Sequence, residues 1–254
     1  MKVQELLESN IIRPSGDPAK FAGDLYDVIQ ANLDVLKVAL ASDPPQRLEL
    51  SKLKAGKSGF DRLGKFATFK VKRPWAKRQE PLSVLLYWDK KDEKVAALTS
   101  RDEVLINVGR LGTRNQFINA FEHELVHAVD PKTNFTSPEE LKRLETVPHE
   151  EYVLDPGEFD AYSSALLLGI ERQLKGRPEA EQAQFKKDML SFLNSLSERD
   201  AFEVVKTDKK FNAKFKSIWP DWKDDARYLI AAWQTNERAY RKFLKRVNST
   251  LFNK

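Results

Sequence analysis

Apolar residues recur at helical spacing through Phe21, Leu25, Val28, Leu33, Leu36 and Leu40, which predicts one amphipathic helix over 21–40. Pro14 to Pro18 break the chain before it, and Asp43, Pro44 and Pro45 close it. A shorter amphipathic stretch, Val3 to Ile12, precedes that break. From Lys57 the texture changes. Turn signals at Ser58-Gly59 and Leu63-Gly64 lead into Phe66 to Val71, a β-rich run ended by Pro74. Pro81 to Trp88 is apolar almost throughout, which predicts a strand buried on both faces. Val95 to Leu98 and Val104 to Val108 are further strand candidates, separated by polar turns.

Helical spacing then returns. Thr113 is placed to N-cap a helix with Gln116 as its capping-box partner, and Asp130-Pro131 stops that helix. Pro138 opens a short helix over 137–145. Asp155 and Pro156 open another, in which Phe159, Tyr162, Leu166, Ile170 and Leu174 share a face. Helical stretches follow over 179–196 and 224–247, with a polar segment over 206–216 between them. Trp219, Trp222, Tyr228, Trp233, Tyr240 and Phe243 fall mostly at helical spacing with Leu229, Ile230 and Leu244. Packing in a core accounts for them better than base stacking. Strands followed by helices make the chain α+β, and no repeat or low-complexity linker divides it. It is read as one domain over 1–254, with a helical N-terminal part (1–50), a sheet-containing core (57–175) and a helical C-terminal part (176–254).

Composition narrows the setting. A hydrophobic content of 41% with 15 Phe supports a buried core. No apolar run approaches the roughly 18 residues of a membrane span. Met1 to Ser9 lack the apolar region of a signal peptide. The absence of cysteine excludes disulfides and thiolate ligands, so the expected location is the cytoplasm, or delivery by a dedicated secretion system. The net charge of +5 is unevenly spread: ten Lys or Arg stand between Lys52 and Arg78 against one acid, Asp61. Such a segment is either a solvated face or a dock for nucleic acid or an acidic partner, and the first is the commoner case.

The candidate chemistry lies in His123-Glu124-Leu125-Val126-His127. Positions i and i+4 share one face of a helix, so two imidazoles there can grip one metal ion. The Glu beside the first His is placed to accept a proton from water. Two ring nitrogens leave a tetrahedral Zn²⁺ needing a third protein ligand from elsewhere. The chain has three histidines, His123, His127 and His149, all in one short region. The plain alternative is an amphipathic core helix whose two His have no metal.

This stretch resembles the active-site helix of the zincin metallopeptidases, over roughly residues 100–170. In the gluzincin branch the third ligand is a Glu on a second helix downstream, and Glu158 with Ala161 is similar to that branch's Glu-x-x-Ala pattern. The resemblance implies a small twisted mixed sheet packed on the active-site helix, with His123, His127 and Glu158 holding Zn²⁺ and Glu124 as general base. It also implies that the strand before the helix, Val104 to Val108, pairs with or flanks an extended peptide, the plain alternative being an ordinary core strand. One departure stands out. Gluzincins often carry an Asp one turn after the third ligand, behind a zinc-binding His. Here that position is Tyr162, so Tyr162, Asp160, Ser163 or a backbone carbonyl would substitute. The metzincin arrangement fails, because its third-His position is Thr133.

His149 is a rival third ligand, a candidate donor to the oxyanion of a tetrahedral intermediate, or a loop His with no role, and Tyr152 is a weaker oxyanion candidate. The expected function is zinc-dependent hydrolysis of a protein or peptide substrate. The alternative is a zincin-fold binding protein whose basic surfaces dock nucleic acid or an acidic partner.

Overall fold

The computed structural model describes residues 16–40, 47–52, 62–73, 76–88, 97–100, 102–129, 156–195, 207 and 209–252. Val3 to Ile12, the 137–145 segment, His149 and Tyr152 lie outside the described residues. Among those described, eight α-helices and five strands make a mixed α+β chain. It divides into two units, one over Ile12–Glu145 and the other over Met1–Ile11 with Thr146–Lys254. Their boundary falls inside the 57–175 stretch that the sequence reading groups together.

The first unit opens with helix α1, Pro18–Ala31, where Pro18 stands in the first turn and the Asp17 carboxylate accepts from the Lys20 amide at 2.9 Å. The single helix expected over 21–40 is in fact two, with α2 at Leu33–Leu40. Asn32 makes the break. Its backbone leaves helical geometry (φ −120°, ψ 13°) and its side-chain amide donates to the Val28 carbonyl at 2.8 Å. A short polar side chain competes for the backbone in this way.

Strands β1 (Arg47–Glu49), β2 (Thr68–Val71), β3 (Glu80–Tyr87), β4 (Ala97–Ser100) and β5 (Glu103–Asn107) form a mixed sheet. β3 runs parallel to β5 and antiparallel to β1 and β2; β4 runs antiparallel to β5. Ser83 pairs with both Thr68 and Glu103, and Leu85 with both Glu49 and Leu105. β1 and β2 therefore share one edge of β3, end to end, with β5 on the other edge. β2 alternates as a half-buried strand should: Phe69 and Val71 point inward, Thr68 and Lys70 outward.

Of the readings of Val104 to Val108, pairing with a peptide is corrected here and the ordinary core strand holds. β5 has β3 on one side and β4 on the other, so its main-chain groups are engaged on both edges, and Val104, Leu105 and Ile106 are buried. On that side of β5 the outer strand among the described residues is β4.

Helix α3, Arg114–Val129, follows β5 and packs in the same core. Phe121 sits 5.9 Å edge-on from Phe69 of the sheet and 5.4 Å stacked from Phe21 of α1. Arg114 forks onto the Asp27 carboxylate at 3.0 and 3.2 Å, and Tyr26 donates to the Gly112 carbonyl at 3.1 Å.

The second unit is helical: α4 (Pro156–Leu174), α5 (Glu179–Ser195), α6 (Lys209–Lys216), α7 (Trp222–Thr235) and α8 (Glu237–Leu251). Its core gathers Phe159, Ile170, Phe185, Phe215, Trp219, Trp222 and Phe243, among others. The aromatic end of the chain thus packs inward, with Trp219, Trp222, Tyr240 and Phe243 buried. The helix expected over 224–247 is split into α7 and α8 by Asn236, whose side chain accepts from the Ala239 amide at 3.1 Å and caps the second helix.

Candidate metal centre

The start of α3 is set by a reciprocal capping box. The Thr113 amide donates to Gln116 Oε1 at 2.9 Å, and the Gln116 amide donates to Thr113 Oγ1 at 3.3 Å. Gly112, at φ +62°, turns the chain into that cap. Phe117, Phe121, Leu125 and Ala128 then face the apolar core, which places His123 and His127 together on a neighbouring face.

The two imidazoles meet edge to face, ring centroids 4.7 Å apart, with their Nε2 atoms at 3.0 Å. Ring nitrogens this close share either a proton or a metal. Two nitrogens each about 2.0–2.1 Å from a tetrahedral zinc lie about 3.3 Å apart, close to this spacing. His127 is 5% exposed and His123 half-buried. Glu124 is 9% exposed, and its backbone carbonyl accepts the Thr99 hydroxyl of β4 at 3.0 Å.

Glu158 occupies the first turn of α4 and is 2% exposed. Two imidazole nitrogens, in a chain without thiolate, suit zinc and leave its other positions for a third protein donor and for water or substrate. The donor set therefore fits the metal that the sequence motif implies.

The groups named as substitutes for the missing Asp are engaged within the helical unit. Tyr162 donates to Asp225 Oδ1 at 2.6 Å and packs edge-on against Tyr228. Burial first, and the Asp225 carboxylate second, push the Tyr162 phenol well above its ordinary range. Trp219 Nε1 donates to the other Asp225 oxygen. Asp160 takes Arg246 at 2.9 Å and Lys242 at 2.7 Å, and Ser163 accepts from Arg246 at 2.8 Å.

One residue escapes the sequence reading. Arg73 counts there only as part of the 52–78 basic segment, yet it is 5% exposed. Its guanidinium donates to the Ala128 carbonyl at 3.1 Å, to Glu80 at 2.7 Å and to Asp102 at 3.2 Å. The signal is present in the alternation of β2. Phe69 and Val71 point inward, and Arg73 continues their period of two. Arg62, Lys65, Lys70, Lys72, Lys77 and Arg78 of the same segment are exposed. No helix among the described residues is long and apolar enough to cross a membrane.

Comparison with known protein families, curated proteins and solved structures gives no match to this chain.

Proposed function

We propose that the chain is a zinc-dependent peptidase of the zincin type. The observation that carries this reading is the His123–His127 pair, whose Nε2 atoms lie 3.0 Å apart on one helix, with the carboxylate residue Glu124 next to the first of them. His123 and His127 supply the two nitrogens and Glu158 the oxygen that hold the ion. Zinc bound there supplies Lewis acidity to the attacking water and to the scissile carbonyl. Glu124 accepts the proton of that water and returns it to the leaving amine.

Substrate is a protein or peptide. The exposed cations around Lys65 to Arg78 support no stronger reading than a solvated face, and the binding-protein alternative rests on them alone. Metal analysis of the purified chain, with cleavage-site profiling on a peptide library with and without chelator, tests the proposal. About one zinc per chain and chelator-sensitive cleavage are expected. A chain that takes up no zinc at micromolar concentration and cuts nothing is the result that removes it.

A further inference from the structure

We infer that Arg73 is a positioning residue for the metal helix, setting the place of His127 by holding the carbonyl end of α3. The inference rests on the reading of His123, His127 and Glu158 as zinc ligands.

The last four carbonyls of an α-helix have no partner within the helix. In α3 these include Ala128, the residue directly after His127. Arg73 Nε donates to that carbonyl at 3.1 Å. A cation at a helix C-terminus also meets the negative end of the helix dipole. The other two nitrogens of the guanidinium reach Glu80, at the start of β3, and Asp102, in the turn between β4 and β5. One rigid fork thus ties the end of the metal helix to two separate points of the sheet.

The burial is asymmetric. The Arg73 side chain is 6% exposed, whereas Glu80 and Asp102 are 42% and 65% exposed. The carboxylates keep much of their hydration while the guanidinium gives up nearly all of its own. A buried cation that is so costly to desolvate holds its place through fixed, directional donors. At the other end of α3, Arg114 pairs with Asp27 but is 47% exposed, so that contact leaves the helix start freer.

The experiment measures zinc affinity of the full chain by competition with a chromophoric chelator. It compares wild type, Arg73→Met, Arg73→Lys and Arg114→Met, at a temperature where circular dichroism shows all four folded. The visible spectrum of the cobalt-substituted proteins gives a second reading of ligand geometry. Losing an outer support of a metal ligand typically weakens binding about 10–100-fold, and that loss is expected for Arg73→Met, with an altered cobalt spectrum. Arg73→Lys keeps the charge without the fork and should fall between Arg73→Met and wild type. Arg114→Met should bind zinc as wild type does, although it too removes an ion pair from α3. If folded Arg73→Met binds zinc with wild-type affinity and spectrum, the assignment of Arg73 is wrong while the metal centre stands. Should Arg73→Met fail to fold, wild-type affinity in Arg73→Lys overturns it equally. Wild-type protein that binds no zinc removes the metal centre and this inference together.

Discussion

Arg246, 2% exposed on α8, meets the Asp160 carboxylate of α4 at 2.9 Å. Asp160 stands two residues beyond Glu158, on the opposite side of the helix, so the pair grips the first turn of α4 from behind. Arg246 also reaches Ser163, and Lys242 takes the second Asp160 oxygen. Removing one member of a buried pair leaves the other charge uncompensated, at about 3–5 kcal/mol. Arg246→Ala should therefore lower the stability of the helical unit by that order in urea denaturation. Asp160→Asn on the Arg246→Ala background should then cost much less than Asp160→Asn alone.

Glu124→Gln keeps the shape of the helix and removes the base. General acid–base catalysis typically contributes about 10²–10⁴-fold, and turnover should fall by at least that while zinc stays bound. Single-turnover peptide cleavage together with metal analysis checks both halves. Wild-type turnover in this variant would take Glu124 out of the mechanism.

Glu158→Ala should lose zinc on dialysis, and activity with it, since in the proposed centre this buried side chain is the third donor. His149→Ala should keep zinc and lose at most part of the rate. Metal content after dialysis separates the two, and the opposite pattern would make His149 the third ligand and end the gluzincin-like assignment.

The buried Tyr162–Asp225 contact makes a pH prediction. Burial and the Asp225 carboxylate raise the Tyr162 phenol above its ordinary value of about 10. The folded state therefore favours the protonated form more than the unfolded chain does. The stabilisation is complete below about pH 10 and declines as pH rises from there toward the folded-state value. Denaturation midpoints measured from pH 8 to 11 should fall, less steeply in Tyr162→Phe. The same variant should lose about 1.5–3 kcal/mol near neutrality, the usual worth of a hydrogen bond to a charged group. An unchanged pH slope would show that Tyr162 does not carry this dependence. Tyr240, raised in the same direction by its own burial, adds to the slope in the same sense.

What the sequence makes legible follows range of interaction. His123, Glu124 and His127 stand out because one helical turn fixes their spacing, and the Thr113–Gln116 cap is likewise local. The four longer strands are visible as runs of apolar and β-branched residues, whereas β1, with three residues, is too short to show a period. The breaks at Asn32 and Asn236 escape a reading by hydrophobic spacing, because the apolar stripe continues in phase across each while one polar side chain interrupts the backbone. The interior place of β5 is decided by pairing between distant strands, and no residue within 103–107 announces it. Arg73 is the instructive miss. Counting charge in a window treats every cation alike, but the pleat of β2 turns this one inward beneath the metal helix.

The scarcity of histidine gives the His123–His127 pair a spectroscopic use. With three imidazoles in the whole chain, the imidazole protons of an NMR spectrum make three sets of signals, and two of them come from side chains whose Nε2 atoms lie 3.0 Å apart. Adding a diamagnetic metal should move that coupled pair together and leave the third set as an internal reference, so the imidazoles that bind can be read from unlabelled protein without a substrate.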